Sequence, residues 1–335
     1  MSSAAPSELS IHLTDLTLRV AVGQFSDLTD EQLAFASQLG VQDIQLNTPR
    51  LPGEERWELE DLKALRVLAL QHGLRVIALE NVPVKFYDKI MLGQDGREQQ
   101  LANMQATVRN MGHAGIPILG YHWMPNGVWR TSFETKVRGG AISNEFRMEN
   151  VKDNSPTHGR VFSADEMWDN YDWYMDRMLP VCEEANVCMA LHPDDPPVPM
   201  LGGVARLFTG FEGFRRAMER HPSPMHGLDF CNGCWSEMKG GEGVLDAIEY
   251  FGTRGRILYV HLRDVHGCAD DFEECFIDEG QSNILAVVKK LKAVGFNGFI
   301  LDDHVPHIVN DTPYAHRGRS YAIGYIKGLL AALAN

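Results

Sequence analysis

"SNILAVVKKLKAVGFNGFILDDH" spans residues 282–304 and contains one complete unit of the chain's architecture. Residues 282–295 set apolar side chains at helical spacing and stop at Gly295, a residue suited to the left-handed turn after a helix. The following "GFILDD" (298–303) is a short apolar run that ends on acidic side chains. The same order of events recurs along the chain. Runs of this kind stand at "LRVAVG" (18–23), "DIQLN" (43–47), "RVIALE" (75–80), "PILGYHW" (117–123), "CMALHP" (188–193), "HGLDFC" (226–231) and "RILYVHL" (256–262). Between them lie segments of helical periodicity such as "ELEDLKALRVLALQHG" and "EQQLANMQATVRNMGHAG". Eight strands alternating with helices predict an α/β fold, a (β/α)8 TIM barrel, as a single domain over 1–335. A doubly wound open sheet is the competing architecture, and the lack of a G-x-G-x-x-G after the first strand weakens it. The gap from about 124 to 187 exceeds one crossover. It predicts a βα-loop excursion at about 124–163 covering the active site, then the helix "ADEMWDNYDWYMDRMLPVCEEA". A final helix is expected from about Arg317 to Leu333.

The totals narrow the function. With 44% hydrophobic and 23% charged residues, the composition is that of an ordinary globular protein. A net charge of −14 argues against affinity for nucleic acid. No run approaches the ~20 apolar residues of a membrane span. "MSSAAPSELS" has neither a basic nor an apolar signal region, and six cysteines in 335 residues make no disulfide scaffold. The expectation is a reduced, cytoplasmic protein with a small-molecule substrate, without nucleic-acid or membrane partners, assembled as a homo-oligomer.

In such a barrel the C-terminal strand ends converge on one mouth. Here they carry Asn47, Glu80, His122, His192, Cys231, His261 with Arg263, and Asp302-Asp303-His304. A single polar residue there simply marks a strand meeting solvent. Four strands ending in His, Cys, His and Asp instead suit a divalent metal held by imidazole, thiolate and carboxylate. Cys231 and Cys234 also form a C-x-x-C, the spacing of a redox pair or of half a zinc site. No second C-x-x-C completes a four-cysteine site, so Cys231 is read as one ligand beside His192, His261 and Asp303. Cys234 is read as a packed thiol, with an extra ligand as the alternative.

Several motifs together resemble the D-mannonate dehydratase family, whose barrel is xylose-isomerase-like. They are "MALHPDDPPVPMLG" (189–202), "FCNG" (230–233), "VHLRDV" (260–265), "LDDH" (301–304) and "SYAIGYIKGL" (320–329). The stretch 78–116 and the loop "MPNGVWRT" extend the resemblance over nearly the whole chain. The His-Pro-Asp-Asp-Pro-Pro run is the most specific of these. The resemblance implies a hydro-lyase that converts D-mannonate to 2-keto-3-deoxy-D-gluconate. It implies the metal ligands His192, Cys231, His261 and Asp303, most naturally with Mn²⁺, although Zn²⁺, Co²⁺ or Fe²⁺ also suit these donors. His304 and Tyr321 would be the catalytic pair, one taking the C2 proton and one protonating the departing C3 hydroxyl. Arg263 would pair with the substrate carboxylate, the alternative being a salt bridge at the barrel rim. His122 and Trp123 would line the sugar pocket, or Trp123 would serve the core. Glu80 and Asn47 would bind hydroxyls or orient a ligand.

Two departures stand out. The region between strands four and five is compact, and Cys234 stands where the family usually has a small hydroxyl residue. The rival reading is a metal-dependent sugar isomerase or epimerase on the same barrel. Such enzymes favour acidic ligands on strands five and eight, whereas this chain has His192 at the first. An endonuclease or a non-catalytic barrel fits less well, given the charge and the intact His304 and Tyr321.

Overall fold

The computed structural model describes residues 16–334. Its centre is a closed parallel barrel of eight strands: β1 (Arg19–Phe25), β2 (Asp43–Asn47), β3 (Arg75–Glu80), β4 (Ile118–Tyr121), β5 (Cys188–Leu191), β6 (His226–Cys231), β7 (Ile257–His261) and β8 (Phe299–Leu301). Around the barrel the strands follow one another in chain order, and β8 closes onto β1. The strands read as nearly continuous apolar runs because barrel side chains face either the interior or the surrounding helices. Ala21, Ile77, Ala78, Ile118, Ala190, Tyr259 and Phe299 fill the inside. The interior closes tightly around Tyr259: a Cβ on Gly120 would stand 2.3 Å from its hydroxyl.

The helices carry their own start and stop signals. Thr29 with Gln32, and Ser163 with Glu166, form capping boxes that satisfy the first free amides of Asp30–Gln38 and Ala164–Ala185. Gly115 and Asn186 end their helices in the left-handed conformation. The last helix is His316–Ala332. Among the described residues, no helix is long and apolar enough to cross a membrane.

Register decides what meets at the mouth. In the β2–β3 ladder Asn47 pairs with Glu80, and in the β6–β7 ladder Cys231 pairs with His261. The excursion after β4 forms two strands, Ser132–Lys136 and Ile142–Arg147. They do not stand alone. Ile142–Arg147 pairs antiparallel with Asp271–Glu274, which pairs with Val265–Cys268 in the loop after β7, giving a four-stranded covering sheet. Phe146, Val265 and Phe272 make its apolar layer, together with Val198 and Leu201 from the loop after β5. Ile142 also bridges to His307 in the loop after β8.

Candidate metal and active site

His192, Cys231 and His261 come together. One donor atom from each lies within 4.8 Å of the other two, and all three residues are buried. The His192 Nδ1–H donates to the Pro193 carbonyl at 2.7 Å, which orients the ring and leaves Nε2 as the atom available to the cluster. Asp303 stands against the trio. Its Oδ1 is 3.7 Å from His261 Nδ1, and its Oδ2 is 3.8 Å from Cys231 Sγ. Ligands about 2.0–2.3 Å from a common tetrahedral ion are separated by roughly this much.

Two further carboxylates face His261 from below. Glu80 Oε2 is 3.0 Å from its Nε2, and Asp229 Oδ2 is 3.6 Å away. Glu80 is held by Gln24 and Gln45, with Asn47 near its other oxygen at 3.4 Å. Asp229 was missed in the sequence reading. It lies two residues before Cys231 on β6, so both side chains point into the barrel. The signal was there as a lone acid inside an apolar strand.

The electrostatics of this cluster call for a cation. Both Asp229 oxygens and both His261 nitrogens are buried without a hydrogen-bond partner. Burial pushes the Asp229 carboxyl up to about 8, against the pull of His261 and His192. Burial disfavours charge on His192, yet Asp229 and Cys231 outweigh it and push its pKa up to about 10. Burial also opposes a Cys231 thiolate, but contacts with Cys234, Arg263 and His192 pull the thiol well below its usual range. Left to themselves, these anions keep the imidazoles protonated. A divalent ion would supply the positive charge instead and free the ring nitrogens to ligate. The donor set fits one.

The other expected site residues separate into groups. His122 is buried and neutral: burial and the neighbouring His192 lower its pKa to about 3. Its Nδ1 accepts from the Met124 amide at 3.1 Å, so Nε2 carries the proton. Trp123 does not line a pocket. It is 1% exposed and packs on the rings of Tyr171 and Tyr174 in the core.

Arg263 is not free for a substrate carboxylate. Its Nε donates to Asp303 at 2.8 Å, Nη1 to Glu237 at 2.9 Å, and Nη2 to Asp195 at 3.2 Å and Cys234 at 3.3 Å. It is fully buried, and a Cβ on Gly233 would stand 2.4 Å from Nη1. The residue orients Asp303 and neutralises a knot of acids. Cys234 faces this guanidinium, and burial raises its thiol pKa well above the usual value.

His304 is partly exposed at the mouth. Its Nδ1 is 2.8 Å from Glu274 and its Nε2 3.7 Å from Asp303. Tyr321 is not brought to this cluster. It is 38% exposed on the last helix, its ring 5.8 Å from that of Phe276 and under the Arg138 guanidinium. Asp278 is the neighbouring acid. Tyr314, in the loop after β8, donates its hydroxyl to the Gly23 carbonyl on β1. The next residue, Gln24, donates to Glu80.

A family profile described as D-mannonate dehydratase (UxuA) matches residues 23–161 and 157–335. The chain belongs to that family. It is 28% identical over 324 residues to a mannonate dehydratase of Streptococcus pneumoniae, covering 88% of this chain and 87% of the relative. Against one from Thermotoga petrophila it is 26% identical, over 84% and 88%. The crystal structure of mannonate dehydratase from Streptococcus suis superposes with a TM-score of 0.85 at 27% identity, covering 93% of each chain. An L-ribulose 3-epimerase, at 14% identity and a TM-score of 0.59, shares the barrel fold. Members of the family are metal-dependent hydro-lyases acting on sugar acids, and this chain carries the metal-capable cluster at the barrel mouth.

Proposed function

We propose that the chain removes water from D-mannonate, giving 2-keto-3-deoxy-D-gluconate, with Mn²⁺ as the resident ion. The observation that carries this is the buried His192–Cys231–His261 cluster, with His261 and the nearby Asp229 lacking hydrogen-bond partners, in a chain that belongs to the dehydratase family along its length.

In this reading His192, Cys231, His261 and Asp303 hold the ion. Glu80 and Asp229 lie beneath His261 and set its charge. When bound, the ion supplies positive charge against the substrate carboxylate and the adjacent hydroxyl, which the weakly acidic C2 proton requires. The remaining work belongs to side chains. His304 takes the C2 proton at Nε2, the C2–C3 double bond forms, and the C3 hydroxyl leaves as water after protonation. The enol left behind becomes the 2-keto acid by moving a proton to C3. Tyr321 was the expected proton donor, and we propose Tyr314 in its place: its hydroxyl reaches the Gly23 carbonyl on β1, and burial raises its pKa so that it stays protonated. Tyr321, among Arg138, Asp278 and Phe276, suits a role in holding the covering sheet.

The test is a panel of aldonates incubated with Mn²⁺-loaded protein and assayed for a 2-keto-3-deoxy acid. D-mannonate should be turned over, and His304→Asn should cut product formation by about a thousandfold or more, to a small residual rate that stays measurable. Ketose–aldose interconversion without any keto-deoxy acid would overturn the reading.

A further inference from the structure

The covering sheet does more than shield the mouth. Glu274 closes the strand Asp271–Glu274, is 3% exposed, and spends both oxygens on named partners. Oε1 lies 2.8 Å from His304 Nδ1 and takes Arg130 Nε at 3.0 Å and Nη2 at 2.6 Å. Oε2 takes Asn144 Nδ2 at 2.8 Å. Arg130 is itself gripped by Asp195, at 2.6 and 2.7 Å. Arg130 and Asn144 come from the excursion after β4, Glu274 from the loop after β7, Asp195 from the loop after β5 and His304 from the end of β8. One carboxylate thus ties three loops to a histidine on a fourth.

We propose that Glu274 is the positioning residue for His304, and that docking of the covering sheet is what prepares this base. Because Glu274 accepts, His304 Nδ1 must donate, which leaves Nε2 as the basic atom on the side facing Asp303. The carboxylate also lies where it stabilises the imidazolium formed once a proton is taken. Glu274 touches no reacting atom. It acts through His304, and Arg130 and Asn144 keep it there. The inference rests on the proposed role of His304 as the group that takes the C2 proton.

The decisive experiment is a double-mutant cycle read by proton-transfer chemistry on the Mn²⁺-loaded enzyme. Glu274→Gln keeps the shape and the Arg130 contact, with the Asn144 amide turning over, but removes the charge. Its kcat should fall about 10–100-fold, the range for partners behind a working histidine, with KM within about threefold. The primary isotope effect on kcat with C2-deuterated substrate should rise, because proton removal becomes slower than the other steps. Metal content and melting temperature should stay near wild type. In a His304→Asn background the same substitution should cost nothing further. Asn144→Ala, which loosens only one oxygen, gives a milder version of the same pattern in a variant that keeps the charge.

A Glu274→Gln enzyme with wild-type kcat and isotope effect overturns the proposal, as does a cost that adds fully to that of His304→Asn. Those outcomes leave dehydration by His304 intact. A wild type that makes no keto-deoxy acid, or a fully active His304→Asn, sinks the role of His304 and the inference with it.

Discussion

Two histidines on the same strand pair have opposite fates. His226 opens β6 and is saturated: Nε2 meets the Tyr121 and Tyr171 hydroxyls at 3.1 and 3.2 Å, and Nδ1 meets the His221 carbonyl at 3.1 Å. His261 ends β7 with neither nitrogen hydrogen-bonded, although carboxylates surround it. Both are buried. A protein tolerates a buried polar group by pairing it, as with His226. Around His261 the neighbours are three carboxylates at 3.0–3.7 Å with no aligned hydrogen bond among them, a donor arrangement that suits a cation. The contrast separates polar groups that hold this barrel together from groups that are free to serve a ligand.

The largest expected effect attacks the unpaired side. Cys231→Ala and Asp229→Asn should both lower Mn²⁺ content after dialysis, measured by elemental analysis. Cys231→Ala should also cost more than a hundredfold in kcat/KM, several kcal/mol of transition-state stabilisation. Undiminished metal in Cys231→Ala removes that thiolate from the ligand set. A second experiment tests whether Arg263 belongs with the paired groups. Arg263→Ala should destabilise by about 3–5 kcal/mol in denaturant unfolding, because Glu237, Asp195 and Asp303 lose a shared buried cation. A loss under 1 kcal/mol would mean that the acids are neutralised some other way.

Next comes pH. His226 has its pKa lowered by burial from 6.5 to about 3, so the folded state holds it neutral. Its contribution is complete above the unfolded value and is lost as the unfolded chain takes up the proton. Between pH 7 and 5 that amounts to about 2 kcal/mol. Replacing His226 by Gln should flatten the wild-type fall in stability across that interval, and parallel curves would show that His226 is not its source. The smallest effect is expected for Tyr321→Phe, within about twofold of wild-type kcat. Tyr314→Phe should lose at least tenfold, and the reverse order returns the proton donor to the last helix.

The strands were largely legible because their pattern is local. "DIQLN", "RVIALE" and "HGLDFC" coincide with β2, β3 and β6, and the helix after the excursion coincides with Ala164–Ala185. Capping residues, closing glycines and apolar runs are properties of neighbours in sequence. The covering sheet was only half visible. The excursion was expected, but the hairpin of Val265–Cys268 and Asp271–Glu274 is short, polar and partnered by residues more than a hundred positions away. Trp123 and Arg263 stayed open between two readings for a related reason. Their types permit a pocket role, and only their three-dimensional neighbours, two tyrosines and three acids, assign them to the core. Asp229 is not marked by its position at a strand end, yet an inward-facing residue two positions before Cys231 reaches the same space.

The covering sheet also bears on the order in which the molecule assembles. Phe146 pairs with Phe272, so its central ladder joins chain segments 126 residues apart, each already anchored in a different part of the barrel. Closing so long a loop costs the least entropy once the intervening strands have paired and shortened the effective loop. Renaturation is therefore expected to restore helix content before Glu274 reaches His304, with catalytic activity returning later than the far-ultraviolet signal.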